Sequence, residues 1–233
     1  MPVKNRVKIY KSGGIYHIYN RGIDGKEIFR GEEDMAYFME VIRRYLDEYK
    51  EEPENGFKSE RPYLRKHRQD MNLTGKVDLI AYCLMPDHIH ILVRQHSAEG
   101  ITQLMRRVMT NYVMYFNKKY KRSGVLFENV YRAILLPDDR VVVGLSRYLH
   151  LNPVARVVKR FGLVETVTVS SPEYYMYSSY QNYLDLRKEE WVKSGLVLEM
   201  FKRLPESQKQ SYRQYVEGET KRVKEEISDW VLE

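Results

Sequence analysis

The chain has 233 residues, of which 43% are hydrophobic, and this composition is typical of a folded protein and excludes a globally disordered chain. The net charge of +7 favours a polyanionic partner such as nucleic acid, although a merely basic protein has the same balance. The only cysteine, Cys83, excludes an intramolecular disulfide and fits a reduced compartment. Because neither a signal-like N-terminus nor a long apolar run is present, we expect a cytoplasmic protein without a membrane partner.

The first part of the chain predicts a strand, a helix and a loop. Residues 14–20 alternate as a strand does, up to a turn at Arg21. Apolar residues between 35 and 46 recur at helical spacing after an acidic first turn near Glu32. Residues 49–70 are polar and contain two prolines, which indicates a surface loop rather than a domain boundary.

The middle of the chain continues this alternation. Residues 77–95 predict two strands interrupted near residues 85–87. We then expect a helix from residue 97 that runs through the basic cluster at 118–122 and stops at Gly124, followed by a strand at 131–136. Asp138 or Asp139 could cap a further helix that ends before Pro153. This order predicts an α+β sandwich with helices packed on one mainly antiparallel sheet. From about residue 155 we expect a polar C-terminal extension with a tyrosine-rich segment and a charged helical tail.

A pair of histidines is the first candidate site. His88 and His90 are two positions apart in a predicted strand, so both imidazoles project from one face and could bind one metal ion. The same pattern also occurs in ordinary surface histidines. With oxygen donors, the pair would suit Mg²⁺ or Mn²⁺ acting on phosphate. The odd offset of Asp87 turns it away in a regular strand, and we expect it to shape the turn after Pro86.

Tyr148 and Asn152 form a second candidate pair. They are four residues apart, so on a helix they share a face, where Asn152 could supply an oxygen ligand and Tyr148 could present its phenol beside a metal. Pro153 disfavours helical backbone for Asn152, which we expect in or just past the last turn. The alternative is that Tyr148 is a core aromatic and Asn152 merely ends the helix.

Other tyrosines compete with Tyr148 as a nucleophile, since the chain contains 20 of them. Tyr112 and Tyr115 continue the apolar stripe of their predicted helix, so packing explains both. Tyr131 lies beside Arg132 at the start of a predicted strand and remains a rival on the residues alone.

Several segments together resemble one protein family. These segments are YHIYNRGIDGKEIF from residue 16, LMPDHIHILV from residue 84, YFNKKYKRSGVLFENVYRAIL from residue 115, RYLHLNPVARVV from residue 147 and YSSY from residue 177. The combination resembles the REP-associated tyrosine transposases, which belong to the single-tyrosine class with a His-hydrophobic-His (HUH) sequence. The resemblance extends over roughly residues 16–191.

The resemblance implies a fold and an active site. The fold would be a ferredoxin-like or RRM-like sandwich, with residues 1–154 as the catalytic domain and residues 155–233 as the C-terminal extension. His88 and His90 would bind Mg²⁺ or Mn²⁺, and Asn152 matches the position of the third ligand. Tyr148, just before the Leu-Asn-Pro-Val run, would be the nucleophile.

The resemblance also implies an activity and a substrate. The enzyme would cleave and rejoin single-stranded DNA through a 5′-phosphotyrosine, as in DNA transposition. The DNA would be a repeat hairpin with a short flanking guide sequence, bound by a monomer or a homodimer. Basic residues near the core are candidate DNA contacts, although a solvated helix face accounts for some of them: Arg21, Arg106, Arg107, Lys118, Lys119, Lys121, Arg122 and Arg132.

Three other functions fit parts of the same pattern. A non-catalytic single-stranded nucleic-acid-binding protein would bind without cleaving. An HUH replication initiator or relaxase would use the same chemistry, but usually beside a larger domain. A metal phosphodiesterase that uses water would leave no covalent protein–DNA adduct.

Overall fold

A four-stranded antiparallel sheet is the centre of the structure. The structure is a computed structural model, which describes residues 10–48, 71–154, 171–208, 210–218 and 230, and the backbone of residues 156–160 and 163–167. The strands are β1 (Ile15–Arg21), β2 (Val77–Met85), β3 (His88–Gln95) and β4 (Arg132–Leu135). Their order in the sheet is β2-β3-β1-β4, and each neighbouring pair is antiparallel. The expected loop at residues 49–70 lies outside the described residues.

Two helices separate these strands along the chain. Helix α1 (Glu32–Leu46) lies between β1 and β2, and helix α2 (Gly100–Lys119) lies between β3 and β4. Because β3 pairs between β1 and β2, and β1 pairs between β3 and β4, the two β-α-β units are interleaved in one sheet. This is the ferredoxin-like arrangement, so the predicted α+β fold is confirmed.

The strand alternation gives the sheet two different faces. Ile18, Ile89 and Ile91 point to the face that α1 and α2 cover, where Phe38 and Tyr112 complete a buried core. The opposite face carries the alternate residues of the same strands, which include His88 and His90 of β3. An irregularity in the pairing of β2 with β3 at residues 79–81 lets two successive residues of β2 face this second side.

The second face of the sheet is covered by α3 and by the C-terminal extension. Helix α3 is Asp139–Leu151, and Asp138 caps it by accepting a hydrogen bond from the Val141 backbone at 2.9 Å, as predicted. The extension contributes the short helix α4 (Tyr180–Tyr183), α5 (Gly195–Arg203) and α6 (Tyr212–Glu217). It also contains a hairpin, β5 (Arg156–Arg160) and β6 (Leu163–Val167), which the sequence did not predict.

The C-terminal extension is built into the core. Tyr183, Phe201 and Val216 are buried together with Leu149 of α3. The sequence suggested a polar tail because these apolar residues are spaced widely among charged ones. Burial of such large side chains stabilises the folded state by roughly 1.5–3 kcal/mol each, so the extension stabilises the position of α3.

The extension also pairs with the edge of the sheet. The Ser179 amide donates to the Tyr82 carbonyl at 3.0 Å, and the Leu84 amide donates to the Tyr177 carbonyl at 2.9 Å. These bonds occupy backbone groups of β2, which would otherwise be an open edge strand.

Both ends of helix α2 differ from the prediction. Helix α2 begins at Gly100 rather than residue 97, because the Gly100 amide first closes a turn on the Ser97 carbonyl at 3.1 Å. It ends at Lys119, before the last residues of the basic cluster, and Lys121 takes a left-handed conformation with φ of 49°.

In the part of the chain that the structure describes, no helix has the length and apolar character needed to cross a membrane.

A buried polar network ties α3 to the extension. The His150 side chain is fully buried, and its Nε2 lies 2.9 Å from the Ser179 hydroxyl. Its Nδ1 lies 3.0 Å from the Tyr212 hydroxyl, which in turn lies 2.9 Å from the Ser146 hydroxyl. Burial lowers the pKa of His150 from 6.5 to about 3, so this imidazole is neutral in the folded protein at neutral pH.

We expect this histidine to make stability depend on pH. Because its folded pKa lies below its unfolded pKa, the unfolded chain binds the extra proton first and stability falls as pH falls through 6.5. Between about pH 7.5 and about pH 5 this residue should lower the free energy of unfolding by about 2 kcal/mol. Urea unfolding of wild type and His150→Gln at both pH values measures this loss as the difference between the two proteins, since the other titrating groups contribute to both. An unchanged pH dependence in the variant would contradict the assignment.

Candidate active site

His88 and His90 lie side by side on β3, on the sheet face that α3 covers. Their ring centroids are 4.8 Å apart with an interplanar angle of 83°. His90 is 1% exposed, and the His88 side chain is 15% exposed. The pair therefore has one enclosed imidazole and one that reaches the edge of the site.

Tyr148 of α3 contacts this pair. The rings of Tyr148 and His90 meet edge to face, with centroids 5.6 Å apart and an interplanar angle of 86°. The sequence predicted both residues as part of one site, and the structure brings them together.

The rival tyrosines lie in the core on the opposite side of the sheet. The buried Tyr112 hydroxyl donates to the Ile28 carbonyl at 2.5 Å. Tyr131 is buried in the same core, where its hydroxyl accepts a hydrogen bond from Tyr10 at 3.0 Å. Tyr115 stacks on Tyr37 with ring centroids 3.8 Å apart. Packing and hydrogen bonding therefore explain all three tyrosines.

Asn152 lies just past α3, where the sequence placed it. Its backbone is helical, with φ of −52° and ψ of −36°, so the expected departure from helical geometry before Pro153 is wrong. The Asn152 amide donates to the Tyr148 carbonyl at 3.0 Å, and this final helical bond offsets the steric cost that proline imposes on its predecessor. The role of Asn152 as a third ligand stays a prediction.

His88 is held by the carboxylate that precedes it. His88 Nδ1 lies 2.8 Å from Asp87 Oδ1, and Asp87 Oδ2 lies 3.4 Å from Arg21 Nη2. The sequence expected Asp87 only to shape the turn, but Asp87 precedes the first residue of β3, so its side chain can reach back to the imidazole. Because Nδ1 donates to a carboxylate, Nε2 of neutral His88 carries the lone pair.

The sequence did not identify His17 and Tyr19 as site residues. His17 Nε2 lies 2.9 Å from His90 Nδ1, and the two rings stack with centroids 5.1 Å apart. His17 is fully buried, and this burial lowers its pKa to about 4. Tyr19 pairs directly with His90 across β1 and β3. The spacing of His17 and Tyr19 already placed both on one face of β1, but only the pairing of β1 with β3 shows which face.

The histidine pair has the chemistry of a divalent metal site. Nε2 of His88 is buried and has no hydrogen-bond partner among the described residues. A metal ion would provide this nitrogen with a partner. A carboxylate that pairs with the other ring nitrogen, as Asp87 does here, commonly orients a metal-binding histidine. Among the described residues, no three or more His, Cys, Asp and Glu side chains form a complete set of ligands. A cation held by this pair would need its remaining ligands from an amide oxygen, water or substrate oxygens.

Two arginines lie on the same face as the histidines. Arg21 pairs with His88 across the strands, and its side chain is half exposed. Arg132 is exposed and donates to the Tyr19 hydroxyl at 2.8 Å. Burial raises the pKa of Tyr19, while the charge of Arg132 opposes that rise, so the phenol stays protonated at neutral pH.

The other basic residues predicted to contact DNA lie elsewhere. They are on α2 or directly after it, and α2 packs on the opposite face of the sheet. Three of them are engaged within the chain. Arg107 Nη1 donates to the Met71 carbonyl, Arg122 Nη2 donates to the Val125 carbonyl at 2.7 Å, and Lys119 forms an ion pair with Asp34 at 2.7 Å. The structure does not bring this group to the histidines: Arg106, Arg107, Lys118, Lys119, Lys121 and Arg122.

One family of known proteins matches the segment that contains these residues. A family model described as an IS200-like transposase matches residues 49–151. The predicted resemblance is confirmed. The matched range includes His88, His90 and Tyr148 and ends directly before Asn152.

Curated proteins and solved structures give different results. A search of curated proteins finds no match. Among solved structures, a REP-associated tyrosine transposase bound to a REP hairpin is similar, with a TM-score of 0.45 and 8% sequence identity, over 82% of this chain and 98% of that one.

We expect Asp87→Asn to weaken divalent metal binding. The amide oxygen can still accept from His88 Nδ1 but lacks the negative charge that strengthens this bond, and loss of such a carboxylate partner typically lowers metal affinity about 10- to 100-fold. Titration with Mn²⁺, followed by electron paramagnetic resonance, measures the affinity. Asp78→Asn is the matched control, because Asp78 forms the same kind of contact with His96 at 2.8 Å, away from the site. Equal loss in both variants would contradict a specific role for Asp87.

Proposed function

We propose that this protein is a metal-dependent transposase that cleaves and rejoins single-stranded DNA through a tyrosine. The observation that carries the proposal is the edge-to-face contact between Tyr148 and His90, beside a second histidine whose buried Nε2 lacks a hydrogen-bond partner among the described residues. The match to IS200-like transposases over the segment that contains these residues supports the proposal.

Tyr148 would attack the scissile phosphate. The Tyr148 oxygen forms a bond to phosphorus, the bond from phosphorus to the 3′ oxygen breaks, and the products are a 5′-phosphotyrosine and a free 3′-hydroxyl. The phenolic proton must leave during this step, since a phenol ordinarily has a pKa of about 10. His88, His90 and Asn152 would hold Mg²⁺ or Mn²⁺, and the bound cation would polarise the phosphate and neutralise developing charge.

The covalent intermediate explains how a strand can be rejoined. Because the phosphodiester is exchanged for a phosphotyrosine bond and not hydrolysed, a 3′-hydroxyl can attack the intermediate without another energy source.

Arg21 and Arg132 would bind the DNA strand at the open edge of the site. Each arginine lies on the histidine face, one beside His88 and the other beside Tyr19. Their guanidinium groups suit phosphate oxygens. We propose a single-stranded repeat hairpin with a flanking guide sequence as the substrate, bound by a cytoplasmic monomer or homodimer. The basic residues of α2 stay candidates for more distant DNA contacts.

We expect Tyr148→Phe to abolish the covalent adduct. The variant keeps the ring that packs on His90 but lacks the oxygen that bonds to phosphorus. Wild-type protein incubated with a radiolabelled single-stranded hairpin and Mn²⁺ should give a protein–DNA band that survives denaturing electrophoresis, whereas the variant should give none.

Two tyrosine variants serve as controls for this experiment. Tyr112→Phe changes a tyrosine on the far side of the sheet, and Tyr19→Phe changes the other tyrosine beside His90. Both should still form the adduct. An adduct that persists in Tyr148→Phe and disappears in Tyr19→Phe would reassign the nucleophile. Cleavage without any adduct would indicate a phosphodiesterase, and binding without cleavage would indicate a non-catalytic binding protein.

We expect Arg132→Gln to weaken binding of single-stranded DNA and to reduce its salt dependence. Removing one phosphate contact to a single strand lowers the slope of log affinity against log salt by about 0.7. Fluorescence anisotropy across a salt series measures both quantities. Arg203→Gln is the matched control, because Arg203 is 69% exposed and lies on α5 outside the site. Equal slopes for wild type and Arg132→Gln would contradict a phosphate contact.

A further inference from the structure

We propose that His17 is a positioning residue that fixes His90 in the tautomer able to bind a metal ion. The inference rests on the proposed function, in which His90 is a metal ligand. It concerns a residue of β1 that lies outside the segment matched by the family model. The Trp230 carbonyl, His17 and His90 form a hydrogen-bonded chain. The chemistry of each contact determines which imidazole nitrogen carries the proton.

The contact between His17 and Trp230 fixes the first proton. His17 Nδ1 lies 2.8 Å from the Trp230 carbonyl oxygen. A carbonyl oxygen only accepts hydrogen bonds, so His17 Nδ1 must carry a proton. The opposite arrangement would place two lone pairs against each other at this distance inside the protein, which is strongly unfavourable.

The contact between His17 and His90 fixes the second proton. Among the described residues, the fully buried His17 has a carbonyl and an imidazole as its hydrogen-bond partners, and without a carboxylate to stabilise a second proton it is neutral. Its Nε2 therefore has a lone pair and accepts the bond of 2.9 Å from His90 Nδ1. His90 then has its proton on Nδ1, and its metal-binding lone pair is on Nε2.

The rings around His17 hold this arrangement in place. His17 stacks on His90 with an interplanar angle of 18°, and on Tyr19 with an interplanar angle of 28°. The stacking restricts rotation of the His17 ring, so its Nε2 stays directed at His90. A rigid partner of this kind orients a metal ligand in the same way as a carboxylate does.

The two histidines of the pair are thus positioned by different chemistry. His88 is partly exposed and is held by the Asp87 carboxylate. His90 is enclosed, and a carboxylate in the place of His17 would be a buried negative charge with a large desolvation cost. A neutral imidazole supplies the same accepting lone pair without that charge.

The tautomer of His90 can be measured directly without a metal. Long-range proton–nitrogen correlation spectra of protein labelled with ¹⁵N-histidine distinguish a proton on Nδ1 from one on Nε2. We expect His90 to carry its proton on Nδ1 in the metal-free wild type and in His17→Gln, whose side-chain oxygen can still accept. In His17→Leu, which has similar bulk but no acceptor, the proton should move to Nε2, the position that histidine ordinarily prefers in water.

Metal affinity provides the second readout. Mn²⁺ titrations at a temperature where all variants are folded should show a loss of about 10- to 100-fold for His17→Leu and an affinity within about threefold of wild type for His17→Gln. Circular dichroism melting curves establish that temperature, so a fall in stability is separated from a fall in affinity.

The outcomes separate this inference from the proposed function. If wild type binds Mn²⁺ and His17→Leu binds equally well with an unchanged His90 tautomer, only the role of His17 is overturned. If wild type does not bind Mn²⁺, the proposed metal site fails and the inference fails with it. A tautomer change together with weaker binding in His17→Leu, and recovery of both in His17→Gln, supports the inference.

Discussion

The register of β3 is the constraint on which the rest of the site depends. Ile89 and Ile91 are almost completely buried under α1 and α2, and their burial fixes which face of the strand turns inward. A slip of one residue would turn His88 and His90 into that apolar core and turn the isoleucines to the face that α3 covers. The hydrophobic effect on one side of the sheet therefore places two polar imidazoles on the other side, where α3 brings Tyr148 against them.

Placing several imidazoles on a covered face creates a second requirement, since buried polar groups need hydrogen-bond partners. Each ring has a different hydrogen-bond partner: Asp87 pairs with His88, His17 pairs with His90, and the Trp230 carbonyl pairs with His17. These bonds orient the imidazoles, as a metal site requires. These hydrogen bonds thus link residues of the site that are far apart in the chain.

The sequence predicted the features of the fold that depend on local periodicity. The alternation of residues in the strand predicted that His88 and His90 lie on one face, and Asp138 predicted where α3 begins. His17 could not be assigned, because its contact with His90 depends on the pairing of β1 with β3 across 73 positions of the chain. The choice of Tyr148 among 20 tyrosines depended on family resemblance, since no local pattern distinguishes it. The packing of the extension was missed because its apolar residues are sparse, so no periodic stripe predicted burial.

The site extends beyond the segment that matches the transposase family. That segment contributes the histidine pair and Tyr148, but β1 contributes His17, and the extension holds α3 through the bonds of His150 with Ser179 and Tyr212. In a bare ferredoxin-like sheet, the face opposite α1 and α2 would be open to solvent. Here α3 and the extension cover that face together, and α3 packs against the helices of the extension. The position of Tyr148 is therefore fixed from both sides, so residues outside the matched segment are part of the physical basis of the site.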